Sequence, residues 1–105
     1  MITDERADQA FEWLNNNTGV IGRARGAMER TEILRKRTRK RAFIGAPEGS
    51  IASKEAHAEL HPDVLKADDE YITAVIDFET LKSRQQVEAM AIDVWRTESA
   101  NRRRS

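Results

Sequence analysis

With 105 residues, 18 cations against 18 anions and 39% hydrophobic residues, the chain makes one domain at most. It lacks the bulk for a wide core, because 14 of its 41 hydrophobic residues are alanine. Cysteine is absent, which excludes disulfides and thiolate metal sites. No apolar run approaches the roughly 20 residues of a membrane span. The start Met1–Arg6 is acidic and lacks a signal peptide's apolar stretch, so a cytoplasmic location is expected, without a membrane partner.

Thr3 is placed to cap a first helix, with Asp4 and Glu5 in its first turn. Ala7, Ala10, Phe11 and Leu14 follow at the spacing of one helix face. Asn15-Asn16-Asn17-Thr18-Gly19 then weakens the pattern and reads either as a turn or as a bend in one long arm. From Val20 the periodicity resumes through Ala24, Met28, Thr31, Leu34, Thr38 and Ala42, marking helix to about Ile44 and tolerating Gly22 and Gly26. That seam is narrow and partly polar, as in a coiled-coil contact.

Residues 45–50 are the one strong break, after which Ser50 or Ser53 caps a short helix, Ala52 to Leu60. His61-Pro62 ends it and opens a third helix, which meets no Gly or Pro from Val64 to about Ser99. Its stripe is Val64, Tyr71, Val75, Phe78, Ala89, Ile92 and Trp95, interrupted by Lys82 and Gln85. A rise of 1.5 Å per residue gives the two arms similar lengths, about 63 and 57 Å. The expected fold is therefore all-α: an elongated antiparallel helical hairpin, completed by self-association into a homo-oligomer. Its parts are a bent or broken arm over 1–44, loop and short helix over 45–61, a long helix over 62–100 and a basic tail over 101–105. A turn near residue 53 sets Met28 by Phe78, Thr31 by Val75, Leu14 by Ile92 and Phe11 by Trp95.

The balanced charge hides segregation. Residues 23–41 hold nine cations against Glu29 and Glu32, while residues 62–98 hold nine carboxylates against four cations. At the centre stands Arg35-Lys36-Arg37-Thr38-Arg39-Lys40-Arg41, which the hairpin brings opposite Asp63, Asp68, Asp69 and Glu70. One reading is that these charges lace the hairpin together. Seven consecutive helical residues cover the whole circumference, however, so not all of them can face the partner arm. With Thr31, Leu34, Thr38 and Ala42 inward, Arg35 and Arg41 fall beside the seam. Lys36 and Lys40, flanked by Arg37 and Arg39, then form an outward ridge suited to phosphates. Only Phe43 lies close enough to offer a base-stacking face.

His57 and His61 share the spacing of a helix face, but His57-Ala58-Glu59-Leu60-His61 is not a zinc-protease motif, and no metal or other cofactor is expected. No nucleophile–base arrangement stands out, so no catalytic residue and no enzyme activity is expected. Arg102-Arg103-Arg104 is either a second phosphate contact or a frayed tail, with disorder expected.

The run Arg39-Lys40-Arg41-Ala42-Phe43, then Gly49-Ser50, the short Lys54–Glu59 helix and a long helix closing on Trp95-Arg96-Thr97, resembles small helical proteins of tailed phages and prophages. In layout it is similar to the UvsY family, the recombination mediators of T4-type phages, over roughly residues 28–102. That resemblance implies a helical-hairpin oligomer that binds single-stranded DNA and loads a recombinase in a bacterial host's cytoplasm. Recombination or replication proteins of the phage are the implied partners. It also implies that Lys36, Arg37, Arg39, Lys40 and Arg41 are the nucleic-acid-binding positions. Trp95-Arg96-Thr97 and the Arg-rich tail have no counterpart in that pattern. The rival expectation is a self-associating helical scaffold or protein-interaction module with no nucleic-acid role.

Overall fold

In the computed structural model, which describes residues 1–104, the chain folds as a helical hairpin. Helix α1 spans Asp4–Ile44, α2 Ile51–Leu60 and α3 Pro62–Arg104. Among the described residues there is no strand, and no helix is long and apolar enough to cross a membrane. Ser105 lies outside the described residues.

Local chemistry sets the helix ends. Thr3 Oγ1 accepts the Arg6 N–H at 3.0 Å, satisfying one of the amides that a helix start leaves without a partner. Ser50 Oγ accepts the Ser53 N–H at 3.1 Å and starts α2. His61 closes α2 by donating its N–H to Ala58 O, and its Nδ1 accepts the Asp63 N–H at 3.1 Å. Pro62 occupies the first position of α3, where a missing N–H costs nothing.

Residues 15–19 are helical throughout, so the turn reading falls. The side chains that favour turns bond back onto their own helix instead. Asn17 Nδ2 donates to Trp13 O, and Thr18 Oγ1 to Leu14 O, both at 2.8 Å. The C-terminal arginines also differ from the frayed tail expected, because α3 continues to Arg104. Three cations in a last turn suit the negative end of the helix dipole, and Arg102 Nη2 donates to Ser99 Oγ at 3.1 Å.

Along α1 the buried and half-buried positions include Ala7, Ala10, Leu14, Asn17, Ile21, Ala24, Met28, Thr31, Arg35, Thr38 and Ala42, an unbroken alternation of three and four. Along α3 the matching set is Val64, Ala67, Tyr71, Ala74, Phe78, Leu81, Gln85, Glu88, Ile92, Trp95 and Ser99. This is a heptad seam. It corrects two sequence expectations. Leu34 is 46% exposed and Arg35 takes its place, while Glu88 rather than Ala89 turns inward. Hydrophobicity alone misplaces both positions, since the heptad puts charged residues in the seam.

Gly22 and Gly26 sit in α1, and beyond the adjoining residues and the helix's own backbone no heavy atom lies within 4 Å of where a Cβ would be. Gly22→Ala and Gly26→Ala are each expected to stabilise the helix by about 1 kcal/mol, read as a higher thermal midpoint by circular dichroism. A lower midpoint would mean that another helix packs against these glycines.

The chain divides into two compact units, Met1–Arg23 with Glu79–Ser105, and Ala24–Phe78. In the first, rising positions on α1 meet falling positions on α3, so the helices are antiparallel. Ile2 N–H donates to Glu98 Oε2 at 3.0 Å, Trp95 Nε1 to Asp4 Oδ1 at 2.8 Å, and Arg6 binds Glu88. Phe11 meets Trp95 edge-on with ring centroids 6.3 Å apart, and Leu14 packs on the core of Ala10, Ala91 and Ile92. Both adjacencies match the register expected from sequence.

Glu88 is the one charged side chain buried among the described residues. Arg6 grips it with two hydrogen bonds, Nη1 to Oε2 at 2.6 Å and Nη2 to Oε1 at 2.9 Å. Arg84 Nε adds a third at 2.9 Å, with its guanidinium 5.0 Å over the Trp13 ring. The Arg6 hydrogen bonds hold the Glu88 carboxyl below its ordinary value; burial opposes this, and Arg84 adds to it. A buried, fully paired carboxylate tolerates no slip along the seam, because any shift leaves a desolvated charge alone.

Candidate nucleic-acid interface

The second unit carries the basic run. Its core is Ala42, Ala58 and Val64, with Phe43 packed against it, so α2 lies on α1 where the cations end. Local sequence puts those cations on helix, and the seam decides which way each one turns.

Arg35 occupies a seam position. Its Nη1 lies 3.7 Å from Asp68 Oδ1, and its guanidinium stacks 4.4 Å from the Tyr71 ring centre. Arg39 turns to the same carboxylate, with Nη2 3.7 Å from Asp68 Oδ2 and Nη1 4.0 Å from Glu59 Oε1. These separations are Coulombic contacts beyond hydrogen-bond length. Asp68 divides its single charge between two arginines, and of the four acids expected opposite the run it alone pairs with the run among the described residues.

The rest of the run is left outside. Lys36 is exposed, and its partner is Glu32 one turn away on the same helix, at 3.2 Å. Arg37, Lys40 and Arg41 are exposed and have no ion-pair partner among the described residues. Arg41, expected beside the seam, lines a cleft with Thr38, Ala42 and Asp63 but has no ion-pair partner among the described residues, whereas Arg39, expected on the outward flank, turns to Asp68 and Glu59. Thr31, Thr38 and Ala42 keep their inward places, so the helix is not rotated; Asp68 and Glu59 draw Arg39 toward them and leave Arg41 without a carboxylate partner among the described residues. Arg30, one heptad before Arg37, is also exposed and continues the ridge. Its spacing of seven from Arg37 is the signal that marks it in the sequence.

Between α1 and α2 runs a groove of about 460 Å³ lined by Lys36, Arg39, Lys40, Phe43, Glu55, Ala58 and Glu59. Lys36, Lys40 and Phe43 follow one another at steps of four and three, so they share a side of α1. The opposite wall, from α2, is acidic. Glu59 is taken up by Arg39, and Glu55 is exposed with no ion-pair partner among the described residues.

His57 and His61 meet edge-on at 5.9 Å between ring centroids. His61 Nδ1 is already used by the Asp63 amide, and no cluster of three or more metal-ligating side chains occurs among the described residues.

Comparison with known proteins found no matching family model, no matching curated protein and no matching solved structure.

Proposed function

We propose that this chain is a non-enzymatic accessory protein of DNA recombination or replication that binds single-stranded DNA through phosphates. The contacts assigned are Lys36, Arg37, Lys40 and Arg41, with Arg30 extending the row and Arg39 bridging to Asp68 behind it. One observation carries the reading: Arg35 and Arg39 share Asp68, whereas Arg37, Lys40 and Arg41 are exposed with no ion-pair partner among the described residues. Like charges are crowded on one short stretch at an electrostatic cost that an incoming polyanion relieves, with release of its condensed counterions. Self-association would repeat the row and raise avidity.

Salt titration tests this. Four phosphate contacts on a single strand give a slope near −3 in log affinity against log salt, or roughly 50-fold weaker binding between 50 and 200 mM. Fluorescence anisotropy with a labelled oligonucleotide reads it directly. Absence of binding at low salt, or binding that ignores salt, refutes the proposal.

A scaffold or protein-interaction role is the second reading. Its supporting observation is a row on α3, Val87, Met90 and Val94, at steps of three and four and 41–65% exposed. Mass in solution with and without oligonucleotide separates the two, since only the first reading requires the mass to change on adding DNA.

A further inference from the structure

The α1–α2 groove carries more than a phosphate site needs. Its three surfaces differ in chemistry. Lys36 and Lys40 make one wall cationic, Phe43 and Ala58 supply an apolar floor, and Glu55 stands on the acidic wall with no ion-pair partner among the described residues. A simple anion is repelled by Glu55, and a simple cation by the two lysines. An apolar partner desolvates Lys40 and Glu55, neither of which has an ion-pair partner among the described residues. The groove's polarity thus selects a ligand that is anionic at one end, flat and apolar in the middle, and rich in N–H donors at the other end.

A nucleotide of a single strand has that order. We propose that the groove seats one unstacked base of the single strand on Phe43, with the adjoining phosphates on Lys36 and Lys40 and the base edge toward Glu55. The inference rests on the phosphate-binding reading and adds a base-reading element to it. An aromatic side chain is a sequence-tolerant platform for a base face. The carboxylate is not tolerant, because it only accepts hydrogen bonds. Cytosine presents its N4 amino group and is a fit partner for a glutamate, whereas thymine turns a carbonyl to the same place. The site therefore favours cytosine over thymine.

Three labelled oligonucleotides of equal length, oligo-dC, oligo-dT and a fully abasic strand, test this with the full-length protein by anisotropy at one salt concentration. Oligo-dC is expected to bind roughly 5- to 150-fold more tightly than the abasic strand, and about five- to tenfold more tightly than oligo-dT. Phe43→Leu keeps apolar volume over the Ala42–Ala58–Val64 core but removes the flat face. It should lower oligo-dC affinity to the abasic level with the salt slope and helix content unchanged. Glu55→Gln, at an exposed position, should erase the preference for oligo-dC over oligo-dT. Equal binding of oligo-dC and the abasic strand overturns the base site while leaving phosphate binding standing, as does a Phe43→Leu variant with full affinity. Equal affinity for oligo-dC and oligo-dT, with Phe43 still required, removes Glu55 from the site. Failure of all three strands to bind at low salt overturns both proposals.

Discussion

Arg37→Glu, Lys40→Glu and Arg41→Glu combined are expected to abolish binding to a single-stranded oligonucleotide at moderate salt while leaving helix content and thermal midpoint nearly unchanged. Two populations of cations stand within one basic run. Arg35 and Arg39 contact Asp68, so reversing either would place like charges together in the second unit and damage the fold. Arg37, Lys40 and Arg41 have no such partner among the described residues, so their reversal removes attraction for phosphate without breaking an internal pair. Each lost contact lowers the salt slope by about 0.7, so the slope should fall from near −3 to below −1 in magnitude. Three introduced carboxylates add repulsion to that loss. Anisotropy gives the affinity, and circular dichroism shows that the fold survives. If the triple variant binds as the unaltered protein does, the ridge is not the DNA contact. If it binds normally but its assembled mass changes, the cations serve association between chains instead.

The second large effect is on stability and depends on pH. Glu88→Gln is expected to lower the thermal midpoint near neutral pH, by an amount that shrinks as the solution is acidified. Glu88 is 2% exposed and receives three hydrogen bonds from Arg6 and Arg84. Those bonds favour the charged carboxylate, so its folded-state value lies below the ordinary 4.5. A depressed carboxylate value contributes stability that is fully present above the unfolded-state value and is lost as pH falls through the folded-state value. The contribution is therefore complete at pH 7, begins to fade below about 4.5 and is gone once Glu88 is protonated in the folded state. Hydrogen bonds to charged groups contribute about 1.5–3 kcal/mol. Both arginines keep one side in water, which reduces the net effect to about 1–2 kcal/mol, or a drop of roughly 5–10 °C. Thermal melts of both proteins from pH 7 to pH 3 check this. A difference that is flat, or that grows on acidification, would show that the Arg6–Glu88 pair does not stabilise the fold.

Much of this architecture is legible in adjacent residues. Thr3, Ser50 and His61-Pro62 mark the helix ends because capping and the proline ring act within three or four positions. The all-α class, the three helices and the pairing of Phe11 with Trp95 follow from periodicity and matched lengths. Asn15–Gly19 misleads as a turn because its side chains have two local options, and within a long packed helix they bond to the preceding carbonyls.

Other features exist only once α1 meets its partners. Periodicity by hydrophobicity places Leu34 inward. The seam places Arg35 there, because Tyr71 and Asp68 on α3 offer that arginine an aromatic face and a carboxylate. The positions of Asp68 and Glu59 decide which cations are paired, Arg35 and Arg39, and which have no ion-pair partner among the described residues, Arg37, Lys40 and Arg41. Glu88 likewise reads as a surface residue until Arg6, 82 positions away, makes its burial favourable. The groove over Phe43 needs α2 folded back on α1. By itself the sequence determined the helices, their ends and the crowding of charge on one stretch, since these depend on neighbours along the chain. The tertiary structure alone decided which charged side chains enter the seam or reach across it, because that depends on contacts between residues far apart in sequence, and with it which charges are free to meet a ligand.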